Sequence, residues 1–284
     1  MSGPEKRARE EHDDDGAGGG AASPGAHETP TLLDVAWIVA KNGYAADVWR
    51  CFGICRKMWR WIAPKLSKED AARVRRDHPF WQAIINVRHG PDGRTRLMLA
   101  ARLSKLAQVE ALIAWHADVN LTGLRCGVTA LINTSAQGHV EVVRALLAAG
   151  AEVNAADNAG KSALIWASYK GRVEIVRAML AAGAGVDAAT DLGYTALINA
   201  SDKGHVEVVR VLLAAGAGVD AASNAGDTAL MWASANGQVE FVRALLAAGA
   251  SKHIVSLSGT TAFSAASYNP ASTAAIRELL AFAP

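Results

Sequence analysis

The sequence predicts an all-α solenoid of helix-turn-helix units with short projecting turns, preceded by a small helical module and a disordered N-terminal tail. Three observations carry this prediction. A glycine recurs every 33 residues in the later part of the 284-residue chain, at Gly127, Gly160, Gly193, Gly226 and Gly259. Each of these glycines is followed by a hydroxyl residue that can cap a helix, and the first four are then followed by a second glycine that can stop it. Apolar residues recur at helical spacing after that stop. One helix pair cannot bury both of its faces, so neighbouring units must stack.

The start and end of each helix are predicted from residues that repeat with the period. The hydroxyl residues that would cap the first helix are Thr129, Ser162, Thr195, Thr228 and Thr261. The glycines that would end it in a left-handed conformation are Gly138, Gly171, Gly204 and Gly237. The second helix would end at Gly150, Gly183, Gly216 and Gly249. Its apolar stripe is predicted at Val140, Val143, Leu146 and Leu147.

A known protein family has the same sequence pattern. The unit GVTALINTSAQGHVEVVRALLAAGAEVNAADNA, beginning at Gly127, resembles the ankyrin repeat, in which T-P-L-H-x-A precedes G-H-x-x-x-V-x-x-L-L-x-x-G-A-x-x-N. The resemblance covers residues 93–284, as about six units of which the first and last are degenerate caps. It implies an ankyrin-repeat solenoid that binds a protein partner on a concave face. The family's histidine is replaced by Ile132, Ile165, Ile198 and Met231, which we expect to be buried.

A two-repeat period lies within the 33-residue period. Residues 127–150 match residues 193–216 at 19 of 24 positions but match residues 160–183 at only 15. We infer that a two-repeat block was duplicated. Asparagine and tryptophan would then alternate along the inner side of the first helices.

A partner-binding surface is predicted where the repeats differ from one another, because scaffold positions are nearly constant between units. The variable positions lie in the projecting turns and on the exposed side of the first helices. They are Val128, Asn133, Gln137, Lys161, Trp166, Tyr169, Lys170, Tyr194, Asn199, Asp202, Lys203, Asp227, Trp232 and Asn236. Large aromatic side chains dominate interface energies, so Tyr169 and Tyr194 are predicted anchors. Trp166 and Trp232 either join them or pack only between adjacent helices.

The repeats contain no arrangement typical of an enzyme. His139 and His205 recur at a scaffold position, without a cysteine or serine nucleophile at a matching place. The glycines lie singly at helix ends and do not form a phosphate-binding loop. We therefore expect a non-enzymatic protein with no cofactor and no metal.

The chain is predicted to divide into three parts: a tail (1–30), a helical module (31–90) and the repeats (91–284). The tail has no large aliphatic residue after Met1, so it cannot form a core. Three cysteines are too few for a disulfide framework and indicate a reducing compartment. The acidic N-terminus is unlike a transit peptide, and no apolar run is long enough to cross a membrane. We expect a soluble monomer of the cytoplasm or nucleus.

The helical module contains the segment CFGICRKMWRW at residues 51–61, which has three interpretations. Cys51 and Cys55 could hold zinc, but no further ligands follow at motif spacing. The module carries 10 basic and 4 acidic residues over 44–90, yet no groove-reading motif supports nucleic-acid binding. The third interpretation is an amphipathic docking helix, because apolar residues from Val48 to Ile62 fall on one helical face and the arginines mostly on the other.

The docking interpretation is supported by a resemblance to a known family. The order Leu33-Asp34-Val35, Ile38, Asp47-Val48, Ile54-Cys55 and Trp59-Arg60 resembles a degraded F-box, which runs L-P-x-D-V-x-x-x-I, D-L and V-C-x-x-W-R. The family's proline is absent, and Cys55 to Trp59 is one residue too long. F-boxes dock the Skp-type linker of cullin ubiquitin ligases. The resemblance implies docking through Leu33, Val35, Ile38, Val48, Ile54, Cys55 and Trp59.

These inferences predict a protein-interaction scaffold, and more finely a substrate adaptor of a cullin-type ubiquitin ligase. Two alternatives stay open. The helical module could only cap the solenoid, or residues 50–76 could associate with nucleic acid through their basic side chains.

Overall fold

The computed structural model describes residues 85–269 and 273–281. Within these ranges twelve α-helices follow one another as six pairs, which matches the six units expected from the sequence. The first helices of the pairs are α1 (Arg96–Arg102), α3 (Ala130–Gln137), α5 (Ala163–Tyr169), α7 (Ala196–Lys203), α9 (Ala229–Ala235) and α11 (Ala262–Ala265). The second helices are α2 (Leu106–Ala114), α4 (Val140–Ala148), α6 (Val173–Ala181), α8 (Val206–Ala214), α10 (Val239–Ala247) and α12 (Thr273–Ala281).

Two short regular elements complete the described chain. Strands β1 (Arg88–His89) and β2 (Arg94–Thr95) form an antiparallel hairpin before α1, and a 3-10 helix (Ala266–Tyr268) continues α11. Within the described residues no helix is long and apolar enough to cross a membrane.

The predicted helix caps are confirmed. The Thr129 hydroxyl accepts a hydrogen bond from the Ile132 amide at 3.2 Å, and the other four predicted caps make the equivalent bond. Thr95 caps α1 in the same way, although the sequence of its unit is degenerate. Such a cap satisfies one of the unpaired amides at a helix start and stabilises the helix by about 1 kcal/mol. The hydroxyl residues therefore fix the register of the first helix in every unit.

All four glycines predicted to stop the first helices have positive φ, but Gly171 and Gly237 follow the helix caps Lys170 and Asn236 by one residue. Gly138 ends α3 with φ of 95°, and Gly204 ends α7 with φ of 79°. A residue with a Cβ atom is strained in this left-handed region, so glycine is favoured where the chain must reverse.

The core consists of apolar side chains between the two helix layers and between neighbouring units. The four residues that replace the family's histidine are buried there, as expected, with exposed fractions of 4% or less. The predicted stripe of α4 needs one correction. Val142 is buried at 1% exposure, whereas the predicted Val140 and Leu147 are only half-buried. The cause is that α4 packs on α3, α2 and α6, so its buried face is set by three neighbouring helices rather than by a single stripe.

Neighbouring units stack helix on like helix. Each first helix packs on the next first helix, and each second helix packs on the next second helix. A polar ladder joins the units at the end of each pair, because an asparagine or aspartate side chain accepts the backbone N–H of the following unit. The acceptors are Asn86, Asn120, Asn154, Asp187 and Asp220, at 2.8 to 3.0 Å. Ile85 and Asn86 thus occupy a repeat-like position ahead of the first unit recognised from the sequence.

Candidate partner-binding surface

The turns that project between units are built on one hydrogen-bond pattern. In the turn before α5, the Asp157 N–H donates to Lys161 O at 3.0 Å and the Gly160 N–H donates to Asp157 O at 2.9 Å. The Asp157 carboxylate also accepts the amides of Ala159 and Lys161. The same backbone bonds recur in the turns before α7, α9 and α11. The side chain after the turn glycine is therefore held at an equivalent place in these four units.

The tips of successive turns are joined into a row. The amide of one tip donates to a carbonyl of the preceding tip, from Asn158 to Cys126 at 3.0 Å and from Asn224 to Leu192 at 3.0 Å. Asn158 and Asn224 add side-chain bonds to the same preceding tips. Together the turns and the first helices form one continuous face, which we call the inner face.

The predicted partner-binding residues lie on this inner face. None of the fourteen is buried: Gln137, Lys170, Lys203 and Asn236 are exposed, and the other ten are half-buried. They occupy three rows, one after the turn glycines, one midway along the first helices and one at the helix ends. The structure thus brings the variable side chains together, and their role in binding stays a prediction.

The Trp166 side chain packs partly against the core and is partly exposed. Its indole N–H donates to Asp157 Oδ2 at 3.0 Å, and its ring contacts the edge of the core. The Tyr169 ring meets it edge to face, with centroids 6.1 Å apart. Lys161 Nζ lies 4.7 Å from the Trp166 ring centroid, within reach of a cation–π interaction. The indole is therefore held in one orientation by three neighbours.

The second tryptophan has different partners. Trp232 lies against Tyr194 of the preceding turn, with ring centroids 6.3 Å apart and a tilt of 55°. Its indole nitrogen is buried and has no hydrogen-bond partner. Ser223, which stands where the other turn has Asp157, accepts the amides of Ala225 and Asp227 but does not bond the indole.

Two lysines flank Tyr169. Lys170 Nζ lies 5.2 Å and Lys203 Nζ 5.0 Å from the Tyr169 ring centroid. Lys203 also pairs with Asp202 at 2.9 Å. The hydrogen bond to that carboxylate is the main reason why the pKa of Lys203 is raised above its ordinary value. The Lys203 ammonium group is therefore cationic at neutral pH.

A groove of about 400 Å³ opens between α3 and α5 on the inner face. Its lining is formed by Val128, Ile132, Asn133, Ala136, Gln137, Trp166, Lys170 and Arg172. Five of these are predicted partner-binding residues. Ile132, Ala136 and Arg172 are added by the structure.

Arg172 is the most informative residue that the sequence prediction omitted. It occupies the scaffold position held by His139 and His205 in the units on either side. Those histidines bond backbone carbonyls of the preceding unit, His139 Nε2 to Arg102 O and His205 Nε2 to Tyr169 O, each at 3.1 Å. The change to arginine in a single unit was the signal that could have identified it.

The outer side of the second helices carries balanced charge. Glutamate and arginine alternate there as pairs three residues apart: Glu141–Arg144, Glu174–Arg177, Glu207–Arg210 and Glu240–Arg243. Such exposed pairs contribute little stability, about 0.3 to 0.5 kcal/mol each. Because the pattern is the same in four units, this side offers no variable surface.

Other predicted features fall outside the described residues. The predicted linker-docking residues, the cysteines Cys51 and Cys55, the basic segment 50–76 and the tail 1–30 all precede residue 85. Among residues 85–269 and 273–281, no group of three histidine, cysteine or carboxylate side chains is arranged to hold a metal ion.

Stacked helix pairs joined by projecting hairpin turns define a helical repeat protein with one variable face. The family profile described as ankyrin repeats (3 copies) matches residues 97–190 and 181–256, more than half of the chain. The chain belongs to the ankyrin repeat family. It is also 42% identical over 69 residues to ankyrin repeat and SAM domain-containing protein 6 of Rattus norvegicus. That match covers 24% of this chain and 8% of the rat protein, so the chain spans only a small part of that relative.

Proposed function

We propose that the protein is a non-enzymatic protein–protein interaction scaffold that binds its partner on the inner, concave face of the ankyrin array. One observation carries the proposal: side chains that vary between units lie together on this face, while the outer side repeats one charge pattern. A face with varied polar and aromatic groups can discriminate between partners, because aromatic anchors and unlike charges supply specificity.

The test compares two matched variants of the full chain. The inner variant replaces four exposed residues by alanine: Gln137, Lys170, Lys203 and Asn236. The outer variant replaces four arginines of the second helices by alanine: Arg144, Arg177, Arg210 and Arg243. Affinity capture with quantitative mass spectrometry should recover the same proteins with the unmodified chain and the outer variant, and lose them with the inner variant. Loss with the outer variant alone would contradict the proposal.

The finer proposal is that the chain is a substrate adaptor of a cullin-type ubiquitin ligase. It rests on the F-box-like order of residues between Leu33 and Trp59. The adaptor would dock the Skp-type linker through that segment and present the partner held by the repeats.

This proposal is tested with the purified full chain and a purified Skp-type linker. Capture of the linker should be lost in an Ile54→Asp, Trp59→Ala double variant, because a charge and a cavity would then interrupt the apolar docking face. No capture by the unmodified chain would refute the adaptor role and leave the scaffold proposal untouched. Equal capture by the variant would refute the docking surface.

A further inference from the structure

The groove between α3 and α5 differs from the rest of the inner face in its amide side chains. At the equivalent positions of later units the side-chain amides are bonded within the protein, Asn199 Nδ2 to Thr195 O at 2.8 Å and Asn236 Nδ2 to Asp202 O at 2.9 Å. In the groove, the side-chain amides of Asn133 and Gln137 make no hydrogen bond with any described residue. Two donor and acceptor groups are therefore free to bond a ligand.

The groove also differs in its charges. Its lining includes the cations Lys170 and Arg172 and no carboxylate. Neither cation forms an ion pair with a described residue, whereas Lys203, in the next unit, is paired with Asp202. The Arg172 side chain lies against Gly138, where an added Cβ atom would be only 2.8 Å from its Nε. The groove therefore presents two cations that have no ion-pair partner among the described residues.

The remainder of the lining is apolar. Val128, Ala136 and Trp166 are only half-buried and lie around the fully buried Ile132. The volume of about 400 Å³ suits a few side chains of an extended segment. Lys161 Nζ lies over one face of the Trp166 ring and the Tyr169 ring stands nearly perpendicular to it, so a nucleic-acid base would compete with these contacts to stack there.

We propose that this groove binds an extended segment of the partner protein in which a large apolar side chain is flanked by acidic residues. The proposal rests on the scaffold function and names the chemistry of what the scaffold binds. The apolar side chain fills the space over Ile132 and Trp166. The flanking carboxylates pair with Lys170 and Arg172, and the amides of Asn133 and Gln137 bond the main chain of the segment.

The experiment selects a random peptide library on the full-length chain. We expect the enriched peptides to carry net negative charge around an apolar residue. The affinity of the best peptide should fall about tenfold in a Lys170→Gln, Arg172→His double variant, because two exposed ion pairs are lost. Both replacements already stand at the equivalent positions of neighbouring units, as Gln137 and His139, so the variant retains the repeat pattern.

The control is an Arg144→Gln, Arg177→Gln double variant, which removes the same charge from the outer side and should bind the peptide with unchanged affinity. Circular dichroism should show that the unmodified chain and the two double variants are equally folded. Removal of the groove amides, in an Asn133→Ala, Gln137→Ala variant, should weaken binding about threefold to tenfold.

Each other outcome overturns a defined part of the proposal. Neutral or basic peptides that depend on the groove refute the acidic chemistry but leave the interaction face intact. If the Arg144→Gln, Arg177→Gln variant no longer binds the peptides, the inner face is refuted as the binding surface, and the proposed function with it. If the unmodified chain enriches no peptide beyond those that the Lys170→Gln, Arg172→His variant enriches, the site is refuted. Tighter, groove-dependent binding of a short single-stranded oligonucleotide would assign the groove to nucleic acid instead.

Discussion

The indole N–H of Trp166 donates a 3.0 Å hydrogen bond to Oδ2 of Asp157, nine residues earlier in the chain. The bond ties the projecting turn to the first helix of the same unit. Two units further on, Trp232 occupies the same helix position, but Ser223 replaces the aspartate and the indole N–H is buried without an acceptor. Of these two equivalent sites, one thus has the bond and the other lacks it.

The first prediction concerns the site that has the bond. An Asp157→Ser substitution should reduce the free energy of unfolding by about 1.5 to 3 kcal/mol, because a charge-assisted bond is lost and the indole N–H is left without its acceptor. Urea denaturation followed by far-UV circular dichroism measures the change. The control is the same substitution in a Trp166→Phe background, where no indole N–H remains and the loss should be smaller. Equal losses would show that the indole bond contributes nothing.

The second prediction concerns the site that lacks the bond. A Ser223→Asp substitution should bring a carboxylate within reach of the Trp232 N–H while retaining the bonds to the Ala225 and Asp227 amides. The neighbouring Asp227 would repel the new charge, so the substitution is best combined with Asp227→Lys, which reproduces the Lys161 arrangement of the other site. The double variant should gain about 1 kcal/mol, seen as a higher urea midpoint. A lower midpoint would contradict the equivalence of the two sites.

The third prediction concerns pH. Burial lowers the pKa of the His89 imidazole below its ordinary value of 6.5, and the nearby charge of Arg96 lowers it further. The unfolded chain therefore takes up this proton at a higher pH than the folded chain does. The contribution of His89 to stability is complete above pH 6.5 and is lost as the pH falls through that value towards the lower pKa of the folded state.

Thermal unfolding at a series of pH values measures this effect. A His89→Gln variant should show a smaller decrease in Tm between neutral and mildly acidic pH than the unmodified chain. A His253→Gln variant, which replaces an exposed histidine, is measured alongside for comparison. The same decrease in the His89→Gln variant would assign the pH dependence to other groups.

Much of the fold could be predicted because the repeated units of the chain can be compared with one another. Repeated units place the caps, such as Thr195, and the helix stops, such as Gly204, at constant offsets, and these local signals need no tertiary information. Val142 was missed because its burial comes from contacts with neighbouring second helices. Asn86 was missed because it joins the ladder between units from a segment whose sequence does not repeat.

The candidate surface could be predicted in outline but not in chemistry. Differences between units located the inner face, including Lys170 and Trp166. Whether a polar side chain on that face is free or bonded depends on its orientation, which the sequence does not specify. Asn133 and Asn199 are the same residue at equivalent positions, yet only Asn199 bonds its own helix. Only the structure therefore distinguishes the groove from the rest of the face.

The fourth prediction separates backbone strain from contact between units at two glycines. Gly150 and Gly160 both have positive φ, 83° and 73°. A Cβ atom at Gly150 would meet nothing within 4 Å, but one at Gly160 would lie 2.7 Å from the Asp191 backbone nitrogen in the next turn. Gly150→Ala should therefore cost only the left-handed strain of about 1 to 2 kcal/mol.

Gly160→Ala should cost about 1 to 3 kcal/mol more than Gly150→Ala, because the added methyl group forces the next turn away. That displacement strains the bond from the Asp191 N–H to Ala159 O, which joins the two turns at 3.2 Å. Urea denaturation gives both energies, and hydrogen exchange of the Asp191 amide should quicken only in the Gly160→Ala variant. Equal costs for the two substitutions, with Asp191 still protected, would mean that the row of turn tips is not a constraint on the array.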